Sequence, residues 1–201
     1  MRRLVIATNN RGKLREYQEL LDGCGFDLVT PRDLDLEFNP EETGATFAEN
    51  ARLKAAEAAR ISGLPALADD SGLEVDALDG RPGLFSARYA GGSRTSAGIA
   101  EAEQLRLLLD ELEGVPDERR TARFVCAIAI VEPGREPRVV QASWEGRIAH
   151  EVRGEHGFGY DPVFIPVGGD GRTFAQMTRA EKAQVSHRGL ALRALATELM
   201  R

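Results

Sequence analysis

The chain has 201 residues, 42% hydrophobic and 29% charged, which excludes a disordered polymer and suits one domain, or one domain of two lobes. Asp and Glu outnumber Lys and Arg by 32 to 26, for a net charge of −6. This works against a general nucleic-acid surface and confines any phosphate site to local groups, while an acidic excess suits either solubility or a divalent cation.

The only cysteines, Cys24 and Cys126, stand far apart, and Cys126 lies in the apolar run Phe124-Val125-Cys126-Ala127-Ile128. A buried thiol is expected there, not a disulfide scaffold or a metal site. Met1-Arg2-Arg3 precedes an apolar run too short for a signal segment, and no stretch is long enough to span a bilayer. These features predict a cytoplasmic protein with no membrane and no nucleic-acid partner.

Leu4-Val5-Ile6-Ala7 is a run of strand formers, followed by a polar loop and by Leu14, Tyr17, Leu20 and Leu21 at helical spacing. Asp27-Leu28-Val29-Thr30 reads as a second strand, so the chain opens as a βαβ unit and predicts an α/β fold. Pro31 to Thr43 is an acidic loop. Thr46 and Glu49 have capping-box spacing, and Phe47, Ala51, Ala55 and Ala58 continue as the apolar stripe of a helix that should end before Gly63. Asn50 and Lys54 lie one turn apart beside that stripe. Pro65 to Ala68 predicts a buried strand running into a turn at Asp69-Asp70-Ser71-Gly72, with Leu73 and Val75 continuing beyond it.

Leu105, Leu108, Leu109 and Leu112 mark a third helix, closed by Gly114 and Pro116. Ala122 to Val131 and Arg138 to Glu145 predict two long strands joined as a hairpin through the turn residues Glu132 to Pro137, and a hairpin beside a βαβ unit implies a mixed sheet. Gly157-Phe158-Gly159-Tyr160-Asp161-Pro162 cannot be regular helix and predicts a structured loop. Thr178 and Glu181 form another capping box, and a last helix should run from about Arg188 to the C-terminus.

Four constellations could carry chemistry. Thr8-Asn9-Asn10-Arg11-Gly12-Lys13 leaves a strand and enters a helix, where N–H groups, a glycine and a lysine suit phosphate oxygens. It lacks P-loop spacing, and the same residues also make an ordinary turn. Glu41, Glu42, Glu49, Asp69 and Asp70 form a set of acids, two of which would suffice for Mg2+, whose shell is otherwise filled by water and substrate phosphates. The competing reading is solvated loop charges and a turn cap, but acids at the end of an apolar strand face the crevice where open α/β sheets bind ligands.

The rings of Phe158 and Tyr160, with Gly159 and Asp161, could stack on a base and read its edge, or could pack into the core. Lys182 with Ser186-His187-Arg188-Gly189 gathers cationic groups near a helix start, suiting an anion or an electron-rich carbonyl, or else an exposed surface cluster. His187 has no Ser or Cys partner in a nucleophile motif, so a triad enzyme is not expected.

Taken in order, Thr8 to Lys13, Glu41 to Ala51, Ala68 to Leu73, Pro82 to Tyr89, Gly157 to Pro162 and Ser186 to Gly189 span essentially the whole chain. Together they resemble the inosine/xanthosine triphosphate pyrophosphatase family, the non-canonical purine nucleoside triphosphate pyrophosphatases. The resemblance implies a single domain over residues 1–201: an α/β fold whose long mixed β-sheet and flanking helices form two lobes around a central substrate cleft. It also implies a homodimer. It further implies that Thr8, Asn9, Asn10, Arg11, Gly12 and Lys13 bind the triphosphate, that Glu41 and Asp70 serve Mg2+, and that Asp70 also accepts a proton. Ser71, Phe158, Gly159, Tyr160, Asp161, Lys182, His187 and Arg188 would contact the nucleotide.

The expected reaction is in-line attack of a Mg2+-activated water on the α-phosphorus of ITP, dITP or XTP, with Asp70 as base. Lys13 and Lys54 would stabilise the departing pyrophosphate. Donors from Arg188, His187 or loop N–H groups would favour a purine 6-carbonyl over the amino group of adenine. A Maf-like pyrophosphatase of modified nucleotides and a non-hydrolysing nucleotide sensor are the alternatives. The base-reading loop with Ser186-His187-Arg188 speaks against the first, and the intact Glu41, Asp70 and Lys13 speak against the second.

Overall fold

The computed structural model describes residues 2–90 and 97–199. The βαβ opening is present as β1 (Arg2–Ile6), α1 (Arg11–Leu20) and β2 (Phe26–Val29), with β1 and β2 parallel and Leu4 opposite Leu28. Helix α2 (Phe47–Ser62) starts at Thr46, whose side chain caps the N–H of Glu49, and stops before Gly63 as the sequence predicts. The reciprocal half of the expected capping box is shifted by one residue: the Glu49 carboxylate accepts from the N–H of Ala45 at 2.7 Å. Strand β3 (Ala66–Val75) pairs parallel with β1.

Helix α3 (Ala97–Glu111) buries Leu105 and Leu108, with Leu112 buried just beyond its end. β4 (Thr121–Val131) and β5 (Arg138–Ile148) are the two long strands expected around the turn at Glu132 to Pro137, and they lie side by side in the sheet. A three-residue strand, β6 (Phe164–Pro166), pairs antiparallel with β5 and has too short a run to stand out in the sequence. The capping box of Thr178 and Glu181 opens α4 (Arg179–Gln184), and α5 (His187–Leu199) is the predicted last helix, residues 200 and 201 lying outside the described residues. The strand order β2-β1-β3-β4-β5-β6, with parallel and antiparallel pairs, makes the mixed sheet of the expected α/β fold.

The chain divides into two compact units: residues 1–70, 126–142 and 188–201, and residues 71–125 and 143–187. Each has its own apolar core. In the first, Leu4, Ile6, Tyr17, Leu67, Ile128 and Leu195 pack together. In the second, Leu73, Leu108, Phe124, Phe164 and Phe174 do, with the rings of Phe124 and Phe164 tilted at a centroid distance of 4.6 Å. Each such fully buried side chain removes apolar surface from water at a gain of roughly 1.5–3 kcal/mol, which is what holds the charged residues below in place. Among the described residues no helix is long and apolar enough to cross a membrane.

Candidate active site

The turn expected at Asp69-Asp70-Ser71-Gly72 is not a turn. β3 runs unbroken from Ala66 to Val75, because the apolar residues on both sides of the acids sit in one extended segment. The consequence follows from strand geometry: successive side chains point to opposite faces, so the two adjacent acids enter different surroundings.

The Asp69 side chain is fully buried against α1 and α5. Its Oδ2 accepts from Lys13 Nζ at 2.9 Å and from Arg188 Nη2 at 3.1 Å, with Cys126 Sγ at 3.9 Å. Arg188, only 1% exposed, also pairs with Glu16 of α1. Burial by itself would push the Asp69 carboxyl up, but Lys13, Arg188 and Lys54 outweigh it and hold the group well below the usual carboxylate range. Burial likewise disfavours the Arg188 cation, and Asp69 and Glu16 more than compensate. Burial and the Asp69 charge together push the thiol of Cys126 up, so this cysteine is the buried, unreactive thiol expected.

Asp70 faces α2. Its Oδ1 accepts from Lys54 Nζ at 3.0 Å and its Oδ2 from Asn50 Nδ2 at 3.1 Å. The same ammonium reaches Glu42 Oε1 at 2.9 Å. Burial would lower the pKa of Lys54, but Asp70, Asp69 and Glu42 raise it further, so the ammonium stays charged. Glu42 is therefore the loop acid brought beside Asp70, while Glu41 is exposed on the same loop.

Glu42 and Asp70 converge on the Lys54 ammonium, and two such carboxylates are the kind of hard oxygen donors that could hold Mg2+ with water and phosphate completing its shell. Among the described residues no group of three or more His, Cys, Asp or Glu is placed to hold a metal ion. The cations Lys13, Lys54 and Arg188 stand among the carboxylates Glu16, Glu42, Asp69 and Asp70.

The loop from Thr8 to Lys13 is built as a capped helix start. Asn10 Oδ1 accepts from the N–H groups of Gly12 at 2.8 Å and Lys13 at 3.1 Å, and Thr8 Oγ1 accepts from the N–H of Asn10. Asn9 Nδ2 donates to the carbonyl of Phe38. The loop thus fixes its own backbone, and the group it sends toward the acids is the Lys13 ammonium. Arg11 is exposed at the head of α1.

The second unit holds the remaining residues predicted from the sequence. Asp161 Oδ2 accepts from the N–H of Phe158 at 2.9 Å and from Lys182 Nζ at 2.7 Å, and Asp161 is 2% exposed. Lys182 Nζ lies 4.9 Å from the centroid of the Phe158 ring, a cation–π placement. Gly157 has φ +79°, and a Cβ there would fall 2.0 Å from Asp161 Oδ2, so only glycine lets the loop close on this carboxylate. Tyr160 is buried and its hydroxyl donates to the carbonyl of Ser86, whose own hydroxyl accepts from the N–H of Leu73. The ring of His187 stacks on Phe124 at 4.6 Å and 12°. Ser71 is half-buried on β3.

The sequence places Asn50 beside Lys54 without giving it a role, and it does not single out Glu16 or Ser86. Asn50 stands four residues before Lys54, and Glu16 three after Lys13. The helical spacing was legible; the partners across the fold were not.

The fold and its sites define an α/β protein of mixed sheet carrying lysine-tethered carboxylates on the strand that follows α2. The Ham1 family model matches residues 4–198, and the chain belongs to the Ham1 family. It is 48% identical over 197 residues to a dITP/XTP pyrophosphatase of Shigella flexneri, covering 97% of this chain and 96% of that protein. Among solved structures, a HAM1 protein from Coxiella burnetii is similar with a TM-score of 0.84 and 44% identity, covering 100% of this chain and 99% of that one. The Ham1 protein of Staphylococcus aureus is similar with a TM-score of 0.84 and 39% identity, covering 99% and 98%.

Proposed function

We propose that this protein hydrolyses ITP, dITP and XTP to the nucleoside monophosphate and pyrophosphate, clearing them from the nucleotide pool. The observation that carries the reading is Asp70, tethered on one oxygen by Lys54 and on the other by Asn50, with Glu42 on the same ammonium. A nearly full-length relative at 48% identity bears the name dITP/XTP pyrophosphatase.

In this mechanism Asp70 orients a water and takes its proton, the water oxygen bonds to the α-phosphorus, and the bond from that phosphorus to the bridging oxygen breaks. Lys13 and Lys54 meet the charge that builds on the departing pyrophosphate. Glu42 and Asp70, with Glu41 on the same loop, would hold Mg2+, which when bound supplies Lewis-acid polarisation and charge neutralisation. The residues Thr8 to Lys13 serve the triphosphate.

Phe158, Gly159, Tyr160, Asp161, Lys182 and His187, with Ser71, serve the nucleoside end. Phe158 offers a ring face, and donors from His187 and the loop N–H groups favour a 6-carbonyl over an amino group, which would leave them unpaired. Arg188 acts by holding Asp69 and, through it, Lys13. The homodimer is taken over from the family resemblance, and the cytoplasmic setting from the sequence expectation above.

The test is turnover of ITP, dITP, XTP, ATP and GTP with Mg2+, with pyrophosphate and orthophosphate both measured. Pyrophosphate release that is fast for the first three and at least about 100-fold slower for ATP is expected from a site left with unpaired donors. Equal rates on ATP and ITP would remove the base-selection argument, and orthophosphate release would remove attack at the α-phosphorus.

A further inference from the structure

We propose that Asn50 is a positioning residue that ties the acid loop to Asp70 and thereby sets the cation affinity and the turnover rate of the site. The inference rests on the reading above in which Asp70 is the working acid.

Asn50 is 4% exposed on the first turn of α2, one turn before Lys54. Its Oδ1 accepts from the N–H of Gly44 at 2.8 Å, and its Nδ2 donates to Asp70 Oδ2 at 3.1 Å. The orientation of the amide is dictated by its partners: a backbone N–H can only donate and a carboxylate can only accept, so oxygen must face Gly44 and nitrogen must face Asp70. No other short side chain offers an acceptor and a donor in this fork. An acid at this position would set two carboxylates about 3 Å apart, where both cannot ionise.

The loop side is equally constrained. A Cβ on Gly44 would lie 2.7 Å from Glu49 Cβ and 2.8 Å from Asn50 Oδ1, so the backbone carrying Glu41 and Glu42 lies directly against the start of α2. Lys54 then joins Glu42 to Asp70 from the next turn. Asn50 and Lys54 together leave Asp70 one orientation, with an oxygen committed to each. Removing the amide leaves Asp70 tethered on Oδ1 alone and the Gly44 N–H without its acceptor, which loosens the loop acids relative to Asp70.

Asn50→Asp keeps an acceptor for Gly44 and replaces the amide donor by a carboxyl that shares one proton with Asp70, taking Asp70 out of its free carboxylate form, whereas Asn50→Ala removes both partners. Two readouts apply: pyrophosphate release from dITP, and calorimetric titration of Mn2+ into the enzyme without nucleotide. Partners that orient metal-binding carboxylates typically contribute about 10- to 100-fold, so kcat should fall by that factor in both variants and Mn2+ binding should weaken about tenfold in Asn50→Ala. KM should stay within about threefold, since no ground-state contact with substrate is removed.

A purely structural asparagine would lower the unfolding midpoint and leave kcat and Mn2+ binding of the folded protein at parental values; that result overturns the proposal. Asn50→Asp, nearly isosteric with the parent, decides the question wherever Asn50→Ala does not fold. Asp70→Asn run alongside separates the two readings. Its inactivity with parental kcat in Asn50→Asp overturns the positioning role alone, and parental kcat in Asp70→Asn overturns the acid assignment and this inference with it.

Discussion

Asp69 and Asp70 are neighbours on one strand and differ in almost everything else. Asp69 is buried among Lys13, Arg188 and Cys126, with Glu16 closing the far side of the arginine. Asp70 is half-buried, held by one cation and one amide, with a loop acid opposite. The difference teaches that two carboxylates can be assigned distinct work by the alternation of a β-strand alone. One is a counter-ion that locks two cationic side chains, and the other is the tethered acid to which the catalytic role is proposed.

The sharpest way to break that contrast is to neutralise the counter-ion. Asp69→Asn leaves the buried Arg188 and the half-buried Lys13 without it, and unbalancing a buried ion pair costs about 3–5 kcal/mol. A urea midpoint equal to the parent's would mean that Asp69 holds nothing. The loop of the second unit offers a milder parallel, since Asp161 also joins a lysine to the backbone. Asp161→Asn should cost about 1.5–3 kcal/mol in the same urea titration, the range for hydrogen bonds to charged groups. A loss matching that of Asp69→Asn would erase the difference between the two networks.

The smallest expected effect is in acid. Asp69 has a folded pKa below its ordinary value, so its stabilisation is complete above about pH 4 and is lost as pH falls below that toward the folded pKa. The urea midpoint of the parent should therefore drop as pH is lowered from about 4, and that of Asp69→Asn should drop less steeply. Identical slopes would place the acid-sensitive carboxylates elsewhere in the molecule.

Much of this was legible in the sequence, and the rest failed for identifiable reasons. The periodicities of α1, α2 and α3, the capping residues Thr46 and Thr178, and the two long strands all appear where local pattern puts them. Asp-Asp-Ser-Gly reads locally as a turn, but the pairing and burial of the flanking Ala66-Leu67-Ala68 and Leu73 override that preference and draw the acids into the strand. The candidate site was legible as a set of residue types. Its internal assignments were not, because the bond from Asn50 to Asp70 and the pairing of Arg188 with Asp69 span 20 and 119 residues. Glu42 and Glu41 are chemically alike, and only the path of the loop distinguishes the one that meets Lys54.

The central claim is that the two acids divide the work. It is tested most directly by measuring kcat for pyrophosphate release from dITP and the urea midpoint on the same preparations of Asp70→Asn and Asp69→Asn. Asp70→Asn should lose about 1,000-fold in kcat, within the range for removing a general base, while its urea midpoint falls less than that of Asp69→Asn. Asp69→Asn should lose stability, while the fraction that stays folded turns over faster than Asp70→Asn. Near-parental turnover in Asp70→Asn, or a turnover loss confined to Asp69→Asn, would contradict the account.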